Sequence, residues 1–170
     1  MKALRFDRFG DVETVLHIEE VPDPVPQPDE VLVRVHAASI NPSDVKNVQG
    51  KFPQTSLPRI PGRDLAGVVV AGNEGMIGQE VWASGGDIGF IRDGSHAEFI
   101  ALPRRGARLK PKSLSMVEAG RVVVRLLVHR HCRRALLFPC QTFRTFFPSR
   151  AVGGMQEFVT EESEQDHAKS

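Results

Sequence analysis

With 170 residues, 41% of them hydrophobic, the chain is long enough for one domain with a buried core. Its formal net charge of +1 excludes a global electrostatic signature for an acidic or nucleic-acid partner. The two cysteines, Cys132 and Cys140, lie close together in a basic stretch without metal-ligand spacing. Neither a disulfide framework nor a thiolate metal site is therefore expected, and a reducing cytoplasm is the default compartment.

The N-terminus, Met-Lys-Ala-Leu-Arg-Phe-Asp-Arg-Phe-Gly, interleaves charged and apolar residues and has no continuous apolar stretch, so it does not read as a signal peptide. No run approaches the roughly 18 apolar residues of a membrane span; Val122 to Val128 is short and broken by Arg125. Lys2 to Phe6 predicts a first strand, Gly10-Asp11 a turn, and Leu16 to Val21 a second strand. Pro22, Pro24, Pro26 and Pro28 then impose an extended surface link that cannot enter a central ladder. Glu30 to Ala37 alternates with period two and is the clearest strand. His36 lies on it and is assigned no role.

Asn41-Pro42-Ser43-Asp44 has two readings. Ser43-Asp44 can cap a short helix through Lys46 to Gln49. Alternatively Asn41, just beyond a buried strand, turns a neutral amide into a cleft. Pro53, Pro58 and Pro61 keep the next segment irregular. The stretch Pro58-Arg-Ile-Pro-Gly-Arg-Asp-Leu-Ala-Gly-Val-Val-Val70 turns on Pro61-Gly62, sets Arg63 and Asp64 before a bend at Gly67, and runs into a strand over Val68–Ala71. Here too an ordinary charged turn competes with polar groups presented at the mouth of a β-structure. Gln79 to Ala83 and Ser95 to Ala101 predict further strands, separated by a glycine-studded loop over 84–94. Many short strands at turn-punctuated intervals imply a mainly β barrel or sandwich rather than a βαβ sheet.

Taken in order, Met1-Lys-Ala, Val31-Leu-Val-Arg-Val35, Ser39-Ile-Asn-Pro-Ser-Asp44, Pro58 to Val70, Gly78-Gln-Glu-Val81 and Gly94-Ser-His-Ala-Glu-Phe99 carry a resemblance. Residues 1–119 resemble the N-terminal GroES-like catalytic domain of the medium-chain dehydrogenase/reductase superfamily, and within it the zinc-free quinone oxidoreductase-like branch. The resemblance implies a partly open barrel with short helices, an NADPH or NADH cofactor for the full-length family, and a small carbonyl or quinone substrate.

Residue by residue, zinc-dependent members carry a cysteine ligand at the position of Asn41 and a histidine ligand at that of Arg63. Amide and guanidinium groups cannot replace a thiolate and an imidazole around tetrahedral zinc, and no cysteine precedes Cys132, so no metal is expected. In zinc-free relatives an asparagine matching Asn41 sits near the nicotinamide and the substrate carbonyl, where an amide N–H can stabilise developing oxyanion charge. Ser43 matches a proton-relaying hydroxyl of the zinc enzymes. Arg63 and Asp64 are expected to form a structural pair at the cleft rim, with Asp44 beside them. The absence of any tyrosine tells against the enoyl reductase subtype, which relies on one in this region.

Ser115 and Glu118 stand at capping-box spacing before a helix entry, and the resemblance stops after Gly120. Family members continue into a Rossmann domain whose Gly-rich turn holds the cofactor pyrophosphate. Beyond Gly120 this chain has only the adjacent Gly153 and Gly154, without that spacing. The expectation is a truncated, inactive catalytic domain that binds no dinucleotide tightly and self-associates through apolar surface. A non-catalytic GroES-like interaction domain is the alternative. Residues 120–170 form a basic, then acidic tail, irregular or partly helical. An arginine-rich nucleic-acid arm, a covering helix and a sequence without design from a frame change compete for it. The third is favoured, and nucleic acid is not an expected partner because aromatics are not interleaved at stacking spacing.

Overall fold

The computed structural model describes residues 1–121, and the readings made for 122–170 lie outside the described residues. Strand β1 (Lys2–Arg5) pairs antiparallel with β2 (His17–Glu20) as a two-stranded sheet. Between them lies a short helix, α1 (Val12–Val15), where the sequence predicts only a turn at Gly10-Asp11. Asp11 is its N-cap, its Oδ1 accepting the Glu13 N–H at 3.0 Å.

Five antiparallel strands make the main sheet: β3 (Glu30–Ala38), β4 (Asp64–Gly72), β5 (Glu80–Ser84), β6 (Phe99–Pro103) and β7 (Arg108–Leu109), in the order β6-β3-β4-β5-β7. Helix α2 (Pro42–Val48) leaves the end of β3, and a 3-10 turn (Glu74–Met76) follows β4. The mainly β architecture expected from the strand spacing is what the structure shows, and the two sheets do not close into a barrel.

The alternation of β3 works as its sequence implies. Val31 and Val33 are fully buried against Leu65, Val69, Val81, Ile100 and Leu102, while Arg34 faces out. Each such valine contributes about 1.5–3 kcal/mol through removal from water. A second, smaller cluster of Phe6, Val15 and Val48 lies where α1 and α2 meet the N-terminal strand.

Three boundaries differ from the sequence reading. Strand β4 begins at Asp64, not Val68, because Gly67 is no bend. It sits inside the ladder opposite Val35, beside an irregularity between Val35 and Ala37. A Cβ there would stand 2.1 Å from the Arg34 carbonyl oxygen, so glycine permits the close approach of β3 and β4. Strand β6 runs Phe99–Pro103 rather than Ser95–Ala101, because residues before it bond elsewhere: Leu4 N–H donates to His96 O and Glu98 N–H to Lys2 O. Helix α2 starts earlier than expected, with Asn41 as N-cap and Pro42 in the first turn, where its missing N–H costs no hydrogen bond. The capping box does form: Glu118 accepts from Ser115 N–H at 2.9 Å, and Ser115 Oγ accepts from Glu118 N–H at 3.2 Å.

Candidate functional site

Sheet register decides which groups meet. Ala38 stands opposite Leu65 at the end of the β3–β4 ladder, so the next residues along, Ser39 and Asp64, are neighbours across it. The chain then enters α2 through Asn41, whose side chain falls on the same spot. Asn41 Nδ2 donates to Asp64 Oδ2 at 2.5 Å and lies 3.3 Å from Ser39 Oγ, which itself donates to Asp64 Oδ2 at 3.0 Å. One turn into α2, Asp44 Oδ2 accepts the Asn41 backbone N–H at 2.7 Å. That bond complements the positive end of the helix.

A second loop closes the site from the other side. Gly94 N–H donates to Ile60 O, Ser95 N–H to Gly62 O and His96 N–H to Pro61 O, and Ser95 Oγ donates to Asp64 O at 2.9 Å. The His96 ring follows, with Nε2 3.1 Å from the Ser39 carbonyl oxygen, which assigns the proton to Nε2. Arg63 points elsewhere: its guanidinium lies 4.3 Å from the Phe90 ring centroid, and Nη2 donates to Gly86 O at 3.0 Å.

Five residues were singled out from the sequence, and the structure brings three of them together. Asn41, Asp44 and Asp64 share one network. Arg63 adjoins it in sequence but makes its contacts with Phe90 and Gly86, and no Arg63–Asp64 ion pair exists among the described residues. The expected rim pair is therefore corrected: Asp64 is only 1% exposed and Asp44 only 4%. Asp64 opens β4 and bonds with Ser39 and Asn41, whereas Arg63 precedes the strand and reaches Gly86 and the Phe90 ring. Ser43, second in α2, is half-buried and outside the network. Sequence reasoning missed Ser39 and His96. Both lay inside the quoted motifs, but their partners are distant in sequence.

The electrostatics are unusual for a surface turn. Among the described residues, Asp64 Oδ1, Arg63 Nε and His96 Nδ1 are buried without a hydrogen-bond partner. Burial pushes the Asp44 carboxyl above its usual range. The Asn41 N–H, His96 and Arg63 oppose that rise, and the Asp64 charge adds to it. A carboxylate raised in the native state binds more protons folded than unfolded, so its contribution to stability falls as pH rises from the ordinary carboxylate range through the folded value. Asp44→Asn, which keeps an acceptor oxygen for the Asn41 N–H, is expected to gain stability relative to the wild type across that rise. Urea unfolding from about pH 4 to pH 8 reads it; a pH-independent difference between the two proteins would refute it.

Among the described residues no three His, Cys, Asp or Glu side chains are placed to hold one metal ion, and the Arg63 guanidinium is a permanent cation with no lone pair to give.

A mainly β domain that sets this motif-borne network at the junction of β3, α2 and β4 is a GroES-like domain. Residues 27–112 match the alcohol dehydrogenase GroES-like domain family, and the chain belongs to it, within the medium-chain dehydrogenase/reductase superfamily. The chain is similar to a zinc-type alcohol dehydrogenase-like protein of Schizosaccharomyces pombe, 44% identical over 126 residues, covering 73% of this chain and 39% of that protein. It is similar as well to an NADPH-dependent alkenal/one oxidoreductase of Arabidopsis thaliana chloroplasts, 37% identical, covering 71% and 33%. Among solved structures, the quinone oxidoreductase of Coxiella burnetii superposes with a TM-score of 0.70 at 28% identity, over 79% of this chain and 45% of that one. The chain thus spans less than half the length of these relatives. Among the described residues no helix is long and apolar enough to cross a membrane.

Proposed function

We propose that residues 1–119 are the substrate-side half of a zinc-independent NAD(P)H-dependent reductase of quinones or enones. The observation that carries this reading is the Asn41 amide, fixed at a helix start by buried Asp64 where zinc relatives have a ligand. One of the similar proteins has zinc in its name, but the donor set here, Asn41 and Arg63, is that of an organic site. A nicotinamide cofactor, when bound, supplies hydride to an electrophilic carbon of the substrate. This domain's contribution is to hold the substrate oxygen. In this reading the Asn41 amide N–H donates to that oxygen as negative charge develops on it, a contribution on the order of 10²–10³ in rate for one preorganised donor. Asp44 and Asp64 hold Asn41.

The dinucleotide cradle is not on this domain, and residues 120–170 lack its Gly-rich fingerprint. The chain alone is therefore proposed to take the substrate and not the reductant. Menadione added to the ¹⁵N-labelled chain is expected to shift amide signals of Asn41 to Asp44, Arg63 and Phe90. NADPH fluorescence is expected to stay unchanged up to millimolar cofactor. Tight NADPH binding would overturn the division of labour, and a menadione titration that leaves those signals in place would overturn the substrate-side assignment. The second outcome would favour an interaction domain.

A further inference from the structure

We propose that the cleft between the N-terminal sheet and the free edge of β6 binds an extended, basic peptide segment as an added β-strand. This site is independent of the substrate-side reading, and its lining shares no residue with the Asn41 network. Strand β1 lies between two partners. It pairs with β2 on one side, and on the other Leu4 N–H donates to His96 O at 2.9 Å and Glu98 N–H to Lys2 O at 3.2 Å. Strand β1 starts at Lys2, but both partners run on past it: β2 into residues 21–24, and residues 96–98 into β6. These two continuations flank a cleft of about 470 Å³, with Met1 at the end of β1 in its lining. That volume falls in the roughly 300–1,000 Å³ range of ligand clefts. The space continues the one that β1 fills, so a strand is the ligand its walls are set to flank.

The β6 wall of this cleft is an open ladder. Val35 N–H donates to Glu98 O at 2.8 Å, and bonded positions recur at every second residue of an antiparallel pair, so Val33–Ile100 and Val31–Leu102 are the bonded pairs. Phe99 and Ala101 therefore turn their N–H and C=O groups away from β3. The Arg92 guanidinium marks that direction, with Nη1 3.5 Å from Ala101 O. Among the described residues β6 is an edge strand, and its Phe-Ile-Ala-Leu-Pro sequence has no charge and only a terminal proline to discourage pairing. Across the cleft Pro22 and Pro24 have no N–H to give, so β6 supplies the main-chain bonds. Charge then selects the partner. The cations of the lining are spent inside the protein: the Met1 ammonium on Val21 O and Asp23, Arg5 on Glu19 and Arg92 on Glu30. The carboxylates, Asp23 and Asp93, each engage through Oδ1 and remain 63% and 58% exposed. Lysine or arginine side chains on an entering strand find acceptors there, and an acidic strand meets repulsion.

Amide exchange on the full ¹⁵N-labelled chain tests the site, with the capped peptide acetyl-Lys-Val-Lys-Val-Lys-Val-amide as probe. In the chain alone the Phe99 and Ala101 amides are expected to exchange quickly, while Ile100 and Leu102, bonded to β3, are protected. Saturating peptide should slow Phe99 and Ala101 at least about tenfold and leave Ile100 and Leu102 unchanged. Ala101→Pro removes one free-edge N–H without touching a bond to β3, a place where a strand tolerates proline, and is expected to abolish binding. Should that variant fail to fold, the wild-type exchange pattern still decides the matter. The same peptide with glutamate in place of lysine is expected to bind at least about tenfold more weakly, and Asp23→Asn combined with Asp93→Asn should narrow that gap. Protection of Phe99 and Ala101 in the chain alone would mean that the edge is already paired, and would overturn the proposal. A lysine peptide that protects neither amide, or a glutamate peptide that binds equally well, would overturn it too.

Discussion

Gly94→Ala is expected to cost about 3 kcal/mol or more and to lower the melting temperature of the chain by on the order of 10 °C. A Cβ at Gly94 would stand 2.2 Å from Pro61 O, 2.4 Å from Gly62 O and 2.5 Å from Pro61 C. All three are backbone atoms, so no side-chain rotation relieves the overlap. The two segments must separate, and three backbone hydrogen bonds join them: Gly94 N–H to Ile60 O at 2.8 Å, Ser95 N–H to Gly62 O at 3.2 Å and His96 N–H to Pro61 O at 3.1 Å. At about 0.5–1.5 kcal/mol for each bond, their loss alone accounts for much of the effect. Gly78 is the control. Its φ of 80° makes alanine uncomfortable, but nothing lies within 4 Å of the added Cβ, so Gly78→Ala should cost only about 1 kcal/mol. Urea unfolding of both variants ranks them; a smaller loss for Gly94→Ala than for Gly78→Ala would mean the segments do not cross this tightly.

That crossing explains what could be read from the sequence. Strand β3 was legible because Val31 and Val33 alternate with Leu32 and Arg34, a local pattern with one physical cause. The sequence predicts a shorter β4 because Gly67 looks like a strand breaker when its neighbours are considered alone. The reason for that glycine is the carbonyl of Arg34, 33 positions earlier by residue number, and no local pattern contains it. The charged pair Arg63-Asp64 has the same explanation. Adjacent charges after Pro-Gly read as a surface turn, and Asp64 is buried because Ser39 and Asn41 supply the hydrogen bonds that make burial tolerable. Asn41 and Asp64 were identifiable as candidates through the motifs around them, and their bond to each other was not. Helix α1 is a different case, since Asp11 before Val12-Glu13 is a local capping signal that Gly10-Asp11 turn chemistry masks.

Asn47→Leu is expected to destabilise the domain by about 2–5 kcal/mol and to loosen the turn that carries Phe90. Asn47 faces inward from α2 and is 1% exposed; its Nδ2 donates to Gly89 O at 2.6 Å and its Oδ1 accepts from Thr55 Oγ1 at 2.5 Å. Leucine is close to asparagine in size, so a cavity is not the main cost. The cost is a buried carbonyl and a buried hydroxyl left without partners, at about 1–3 kcal/mol each. The consequence extends further because Gly89 belongs to the turn that carries Phe90, and the Arg63 guanidinium rests on that ring. The turn's own bonds, Gly89 N–H to Arg92 O and the N–H groups of Phe90, Ile91 and Arg92 to Asp87 O, remain in the variant but lose their tie to α2. Amide exchange at residues 89–92 should therefore accelerate more than exchange in β3 and β4 at a temperature where the variant is folded. Asn47→Asp separates the two bonds: it keeps an acceptor for Thr55 and turns the Gly89 contact into an approach of two oxygens, so it should free the turn as well. Wild-type protection at 89–92 in both variants would show that the turn stands by itself and that α2 does not brace the ring on which Arg63 rests.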